Sequence, residues 1–366
     1  MRVAVFTREL DGVLGGMEKQ LLKISQALNR FDHEVVVYSI DENPPKVFYK
    51  NISTGIDFRN LATGDPKKKA GFFQRYKRQK LVFDELRSFQ PDIAICFMFG
   101  AFLYSRVPTL LLRIPIILAE RNSPEIYRIT RVRRIRHLIF FSMLFTRSIT
   151  IQFARYELKY PRFLRNRLRV IPNAIEESTS ADFMRTDKAN FIFAGRFSFQ
   201  KQPLRLIEAF KLHLIRFPDS KLRMFGNGEQ QTAIEELIVE CGLQESVKIS
   251  PPASEIKDVF VQGNILCIPS IWEGFPNVLG EALAHGIPAI GFKNCDGVSD
   301  LIIDEWNGWL EEDDSSTSPL VTLLDRAAKA LSEGNDLESN CKASVKNFSE
   351  ERVGKMWNEL VIDTVT

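Results

Sequence analysis

The amino-acid sequence predicts an α/β protein built from two Rossmann-like β/α/β domains, on three observations. The chain has 366 residues, more than one hydrophobic core normally serves before a chain divides. Each half opens with a β-branched run, a glycine-bearing turn and a helical pattern, the alternation of βαβ units in a parallel sheet. The formal charge is only +3, yet residues 1–173 hold 31 Lys and Arg against 15 Asp and Glu, a balance of +16, and the remainder holds 18 against 31, a balance of −13. Halves of opposite sign suggest domains that face different partners.

Taken in order, "RVAVFT" (Arg2 to Thr7) reads as a strand. The helix after it is marked by Met17, Leu21, Leu22, Ile24 and Leu28 at helical spacing, and "HEVVVYSI" is the next strand. The polar, aperiodic "PNAIEESTSADFMRTDKAN" is the expected linker. In the second half "NFIFAGR", "KLRMFGNG", "VKISP", "ILCIPS" and "PAIGF" read as strands buried on both faces, as parallel strands are. The expected boundaries are a basic domain at 1–173, a linker at 174–189, a second domain at 190–348, and a final helix at 349–366 that crosses back to the first domain. No apolar run nears the roughly 20 residues of a spanning helix; "LIFFSMLF" and "TLLLRIPIILA" are the longest. The start "MRVAVFTRELDG" has no signal-peptide core, so a cytoplasmic protein is expected. Five scattered cysteines and four histidines suggest neither a disulfide framework nor a metal site.

The stretch "SIWEGFPNVLGEALAHGIPAIGF" places Glu273 and Glu281 around a Gly-Phe-Pro-Asn turn. Pro276 suits a first helical turn and Gly286 an end. Glu273 then precedes the helix, Glu281 lies one to two turns inside it, and the N-terminal amides between them favour a phosphate. The acids could equally be solvated surface groups. In "FAGRFSFQKQPLRLIEAF" the strand ends at Gly195, Arg196 follows, and Lys201 comes near the next helix. That puts two cations at the C-terminal edge of a parallel sheet, where such folds bind ligands. Arginine grips phosphate oxygens at two points and lysine acts as a point charge; pairing with an acid such as Glu208 is the alternative.

Gly195, Arg196, Lys201, the "FGNG" turn of Gly226, Asn227 and Gly228, and the Glu273-x7-Glu281 element together resemble the retaining glycosyltransferases of family 4, with the GT-B fold, over nearly the whole chain. The resemblance implies two domains facing a central cleft, a nucleoside diphosphate sugar donor held mainly by the second, and an acceptor held by the first. It implies that Arg196 and Lys201 stabilise the donor diphosphate, Glu273 binds sugar hydroxyls and Glu281 the ribose. Phe275, Pro276 and the amides of Asn277, Val278 and Leu279 would form the phosphate turn, and Gly15 and Gly16 would let backbone approach both substrates. No metal or other cofactor is expected. Many relatives carry a histidine where Arg121 follows Glu120. Arg121 could take a phosphate or donor hydroxyl, or pair with Glu120 or Glu125.

Two basic clusters belong to the acceptor half: Lys67 to Lys80, with seven basic residues and no acid, and Arg121 to Arg169, with 13 against Glu125 and Glu157. They interleave with Phe72, Phe73, Tyr76, Ile135, Leu138, Ile139, Phe140 and Phe141, a pattern that fits attachment to an anionic membrane surface and a lipid-linked or saccharide acceptor. Leu138 to Phe145 could instead be an ordinary core helix. A UDP-N-acetylglucosamine 2-epimerase-like enzyme of the same fold is the alternative function. A nucleic-acid-binding protein is disfavoured because the clusters match no binding motif and the second half is acidic. A UDP-sugar is favoured over a GDP-sugar as donor, and a hexose or N-acetylhexosamine as the group moved.

Overall fold

The computed structural model describes residues 1–10, 15–41, 55–63, 71–129, 131–178, 188–253 and 255–366, except the side chains of Phe72 and Arg131. Lys67, Lys68 and Lys69 of the first basic cluster, and residues 179–187 of the expected linker, lie outside the described residues. The chain forms two units, Met1–Ala174 with Glu350–Thr366, and Ile175–Ser349.

The first unit runs β1 (Arg2–Phe6), α1 (Gly16–Arg30), β2 (Glu34–Ser39), β3 (Asp57–Asn60), α2 (Phe72–Phe89), β4 (Ile93–Phe97), α3 (Met98–Leu111), β5 (Ile116–Ala119), α4 (Ile126–Ile129), α5 (Arg136–Ser142), β6 (Ser148–Ile151) and β7 (Leu168–Val170). Its strands form a seven-stranded parallel sheet, β3-β2-β1-β4-β5-β6-β7. The second unit runs β8 (Asn190–Ala194), α6 (Pro203–His213), β9 (Lys221–Phe225), α7 (Gln231–Glu240), β10 (Val247–Ser250), α8 (Ile256–Phe260), β11 (Ile265–Ile268), α9 (Asn277–Ala284), β12 (Ala289–Phe292), β13 (Gly308–Glu311), α10 (Ser318–Ser332) and α11 (Glu338–Val345). Its sheet is also parallel, in the order β10-β9-β8-β11-β12-β13. Strands β3, β4, β6, β7 and β13 have no counterpart in the sequence reading; "GWLE" of β13, for one, is four residues long and alternates too briefly to stand out.

The helical spacing read in α1 is a core face. Leu21, Leu22, Ile24 and Leu28 are buried against Val3, Val5, Val35 and Val37, with Met17 at the margin. The C-terminal helix α12 (Glu350–Val365) covers the same core. Its Trp357 is fully buried and stacks on Phe97 with ring centroids 6.4 Å apart. A Cβ on Gly354 would stand 3.0 Å from that of Ala27, so glycine permits the close approach of α12 to α1. The buried Lys23 of α1 pairs with Glu350 at 2.7 Å, and Gln20 both donates to and accepts from the backbone of Ala174 at 2.8 Å. Helix α1 thus anchors both segments at which the first unit ends.

Candidate active site

In the second unit the strand order reverses between β8 and β11. Loops leaving neighbouring strands there diverge and leave a crevice beyond their C-terminal ends. The loop after β8 carries Gly195, Arg196 and Lys201, and the loop after β11 carries Ser270 and Glu273. Across this point the Lys201 ammonium donates to Glu273 Oε1, an ion pair whose side chains are 21% and 8% exposed. The pairing with Glu208 is therefore not the one adopted. Gln200 fixes the register: its side-chain amide donates to the Trp272 carbonyl at 2.7 Å, and its own carbonyl accepts from the Ile271 amide at 2.9 Å. Arg196 is exposed and makes no hydrogen bond or ion pair to a described residue. The unit thus offers one held and one uncommitted cation at the crevice.

The glycines of "FGNG" act on the backbone. A Cβ on Gly226 would lie 1.9 Å from the Gly195 carbonyl oxygen, and one on Gly228 would lie 2.3 Å from that of Phe197. The Phe197 amide donates to the Asn227 carbonyl at 2.8 Å. The turn is therefore packed onto the Arg196 loop. Gly297 plays a similar part in the loop after β12: its φ is +81°, and a Cβ there would meet the Gly274 carbonyl oxygen at 2.5 Å.

Helix α9 begins after Pro276 as the sequence requires. Asn277 and Val278 are partly exposed, whereas Leu279 is buried and its amide donates to the Pro276 carbonyl at 3.0 Å. The phosphate turn expected at Asn277, Val278 and Leu279 thus narrows to the first two. Phe275, also expected in that turn, is buried, and its ring packs edge-on against Phe348 with centroids 5.5 Å apart. Glu281 is 8% exposed in the middle of α9. Burial holds the Cys295 thiol far above its ordinary range, although it lies close enough to feel the charges of Glu273 and Lys201. It is no activated nucleophile.

In the first unit the order reverses between β1 and β4, and Gly15 and Gly16 open α1 after β1. Arg121 departs from both expectations. It is 6% exposed, donating to the Ile171 carbonyl at 2.8 Å, Asn173 Oδ1 at 3.2 Å and Thr150 Oγ1 at 2.8 Å, and its guanidinium lies 5.2 Å from the centre of the Trp357 ring. Desolvation lowers its pKa to about 9. It ties β6, the end of β7's segment and α12 together, in place of a ligand. Glu120 takes a hydrogen bond from the Tyr127 hydroxyl at 2.5 Å, and its burial raises its pKa to about 6.

Gln200, Gly297 and Trp357 were not singled out from sequence. Gln200 stands one residue before Lys201, and Gly297 in "CDGV" carries a turn signal; Trp357 offered none.

Residues 175–346 match the family profile described as glycosyl transferases group 1. The second unit is a group 1 glycosyl transferase domain, and the chain is a glycosyltransferase. It is 24% identical over 360 residues to the GalNAc-alpha-(1->4)-GalNAc-alpha-(1->3)-diNAcBac-PP-undecaprenol alpha-1,4-N-acetyl-D-galactosaminyltransferase of Campylobacter jejuni, with 95% of each chain covered. It is 30% identical over 183 residues to the UDP-Gal:alpha-D-GlcNAc-diphosphoundecaprenol alpha-1,3-galactosyltransferase of Escherichia coli, covering 48% of this chain and 46% of that one. Anabaena HepE, solved with UDP and glucose, superposes with a TM-score of 0.80 at 15% identity, over 99% of this chain and 100% of that one. At that identity the likeness shows the fold, and it is the two-domain GT-B fold.

Proposed function

We propose that this glycosyltransferase is a retaining, metal-independent enzyme of family 4. It moves a hexose or N-acetylhexosamine from a UDP-sugar to a lipid-linked or polysaccharide acceptor at the cytoplasmic face of the membrane. The observation that carries the reading is the Lys201–Glu273 pair at the strand-order reversal, beside the uncommitted Arg196 and the start of α9. The Campylobacter and Escherichia relatives, named for undecaprenyl-linked acceptors, support the acceptor class.

In this chemistry Arg196 and Lys201 hold the donor diphosphate, with the amides of Asn277 and Val278 at its oxygens. Glu273 orients the sugar and Glu281 the ribose. The bond from the anomeric carbon to the diphosphate breaks as the bond to the acceptor oxygen forms on the same face, and a departing phosphate oxygen takes the acceptor's hydroxyl proton. The residues contribute orientation and stabilisation of developing diphosphate charge. The basic face of the first unit, with exposed Arg133 and Arg134, draws it to anionic lipid.

Thermal-shift titration against UDP-, GDP- and ADP-sugars tests the donor, since a ligand that binds only the folded state raises its stability by mass action. Stabilisation by UDP-sugars, and an axial product from an axial donor by NMR, are expected. Stabilisation by GDP-sugars alone, or an inverted product, would overturn the reading.

A further inference from the structure

Helix α3 breaks the rule for a surface helix. Its inner face carries Ala101, Phe102, Tyr104, Ser105, Pro108 and Thr109, all buried. Its outer face should be polar, yet it consists of Leu103 (45% exposed), Val107 (44%), Leu110 (59%) and Leu111 (68%), at spacings that form one stripe. The two hydroxyls turn back onto the helix, Ser105 to the Ala101 carbonyl at 3.0 Å and Thr109 to that of Ser105 at 2.9 Å. Apart from Arg106, which is partly exposed beside the stripe, the helix is therefore apolar all round with one side uncovered. At 14 residues it is shorter than the roughly 20 needed to span a bilayer.

The stripe continues into a groove of about 310 Å³ between the end of α3 and the turn after α5, lined by Leu110, Ile114, Ile116, Leu144, Phe145, Arg147 and others. Phe145 is 52% exposed and follows α5, where Phe141 (62%) and Leu138 (72%) are also uncovered. The surroundings are basic. No acid occurs between Asp92 and Glu120, where Arg106 and Arg113 lie, or between Glu125 and Glu157, where seven arginines lie. Arg113 and Arg147 are exposed and have no ion-pair partner among the described residues. A second copy of this face would bring like charges together, which disfavours self-association; an anionic lipid surface complements it.

We infer that the outer stripe of α3, with its groove and Phe145, inserts among the acyl chains of an anionic bilayer while Arg113 and Arg147 meet the headgroups. The inference rests on the membrane-face reading above and deepens it, because it adds burial of apolar side chains to electrostatic attraction. An in-plane helix of this kind sinks its apolar face to roughly 5–10 Å.

The test is sedimentation of the full chain with vesicles of phosphatidylcholine and phosphatidylglycerol, at low salt and at about 0.5 M salt, where exposed charges are screened. The wild type should keep part of its binding at high salt. The Leu103→Gln/Val107→Gln/Leu110→Gln/Leu111→Gln variant should lose that residue by about tenfold or more, while its activity on a water-soluble acceptor analogue certifies its fold. A Leu110→Trp variant should show added fluorescence that acyl-chain-brominated lipid quenches. Wild-type binding wholly reversed by salt, a glutamine variant that binds like wild type, or an unquenched Trp would overturn insertion and leave the peripheral reading standing. No binding to vesicles at any salt would overturn both. A dimeric wild type that the glutamine variant makes monomeric, with vesicle binding unchanged, would assign the stripe to a second copy instead.

Discussion

Arg121 is the residue at which a structural and a ligand-binding role are most sharply separable. Replacing it with methionine keeps an unbranched stem against Trp357 but removes donors from three acceptors, Thr150 Oγ1, the Ile171 carbonyl and Asn173 Oδ1. An acceptor left unpaired in a buried place costs about 1–3 kcal/mol, and the lost cation–π contact adds about 1 kcal/mol. Against this, a buried charge that raised the energy of the folded state is gone. The net expectation is a loss of about 2–4 kcal/mol, which in a unit of this size corresponds to a melting transition lowered by roughly 5–15 °C. Differential scanning calorimetry reads the loss. The folded fraction at low temperature should keep its KM for donor and acceptor within about twofold, because a residue holding β6, α12 and Asn173 together touches neither substrate. A melting temperature unchanged from wild type together with a KM raised tenfold or more would refute the reasoning and return Arg121 to the ligand.

The other expectations are briefer. Lys201→Ala and Arg196→Ala should each lower transfer by at least about 100-fold, the scale for one charge-stabilising donor; near-wild-type turnover in either removes it from the site. Glu281→Ala should weaken donor binding, measured by calorimetry, more than it slows the saturated enzyme, because a ribose contact changes little between ground and transition state. Gly228→Ala should lower the melting temperature without a selective effect on donor affinity, since its new methyl would meet the Phe197 carbonyl at 2.3 Å; a stable variant with impaired donor binding would make the glycine a ligand-facing residue. Glu120 binds a proton more tightly folded, with a pKa of about 6, than unfolded, near 4.3. Its contribution is fully present below the unfolded value and is lost as pH rises through the folded one, about 2 kcal/mol in all. Urea titrations from pH 4 to 7 on Glu120→Gln should lack that decline, and an identical pH slope in both proteins would show that another group causes it.

Strands β1 and β2 and most of the second sheet were legible because those strands are largely apolar and their turns carry glycine, whereas β3, "DFRN", is polar and half-exposed and gave no such signal. "RVAVF" and "NFIFA" need no tertiary context to read as strands, and the spacing in α1 pointed at its core. Legibility failed where a residue's part depends on a partner far along the chain. Arg121 follows a strand as a ligand-binding arginine would, but Trp357, more than two hundred residues later, takes its face. Phe275 sits inside the most diagnostic motif and is core because Phe348 packs on it. The glycines of "FGNG" entered as part of the family pattern, and the structure shows them letting one loop lie against another. The exposed leucines of α3 partly fall in "TLLLRIPIILA", which the sequence marks only as an apolar run too short to span a membrane; an apolar side chain carries no mark of whether its neighbour is protein or lipid.

The Lys201–Glu273 pair joins two motifs that the sequence keeps apart. Separated by 72 residues in sequence, a loop lysine and a loop glutamate would ordinarily sample many rotamers, each costing entropy when a donor fixes it. Here the ion pair and the two hydrogen bonds of Gln200 settle the lysine before any donor arrives. The pair is also neutral as a whole, so neither charge is left uncompensated in the crevice of the substrate-free enzyme. On the proposed chemistry a diphosphate would find an ammonium already in place with the carboxylate beside it. On the proposed chemistry Glu273 has two tasks that no single substitution separates: it presents Lys201 to the leaving group and its remaining acceptor capacity to the sugar. Glu273→Gln keeps the second in part and weakens the first, which is why the lysine and the glutamate have to be varied together before either role is assigned an energy.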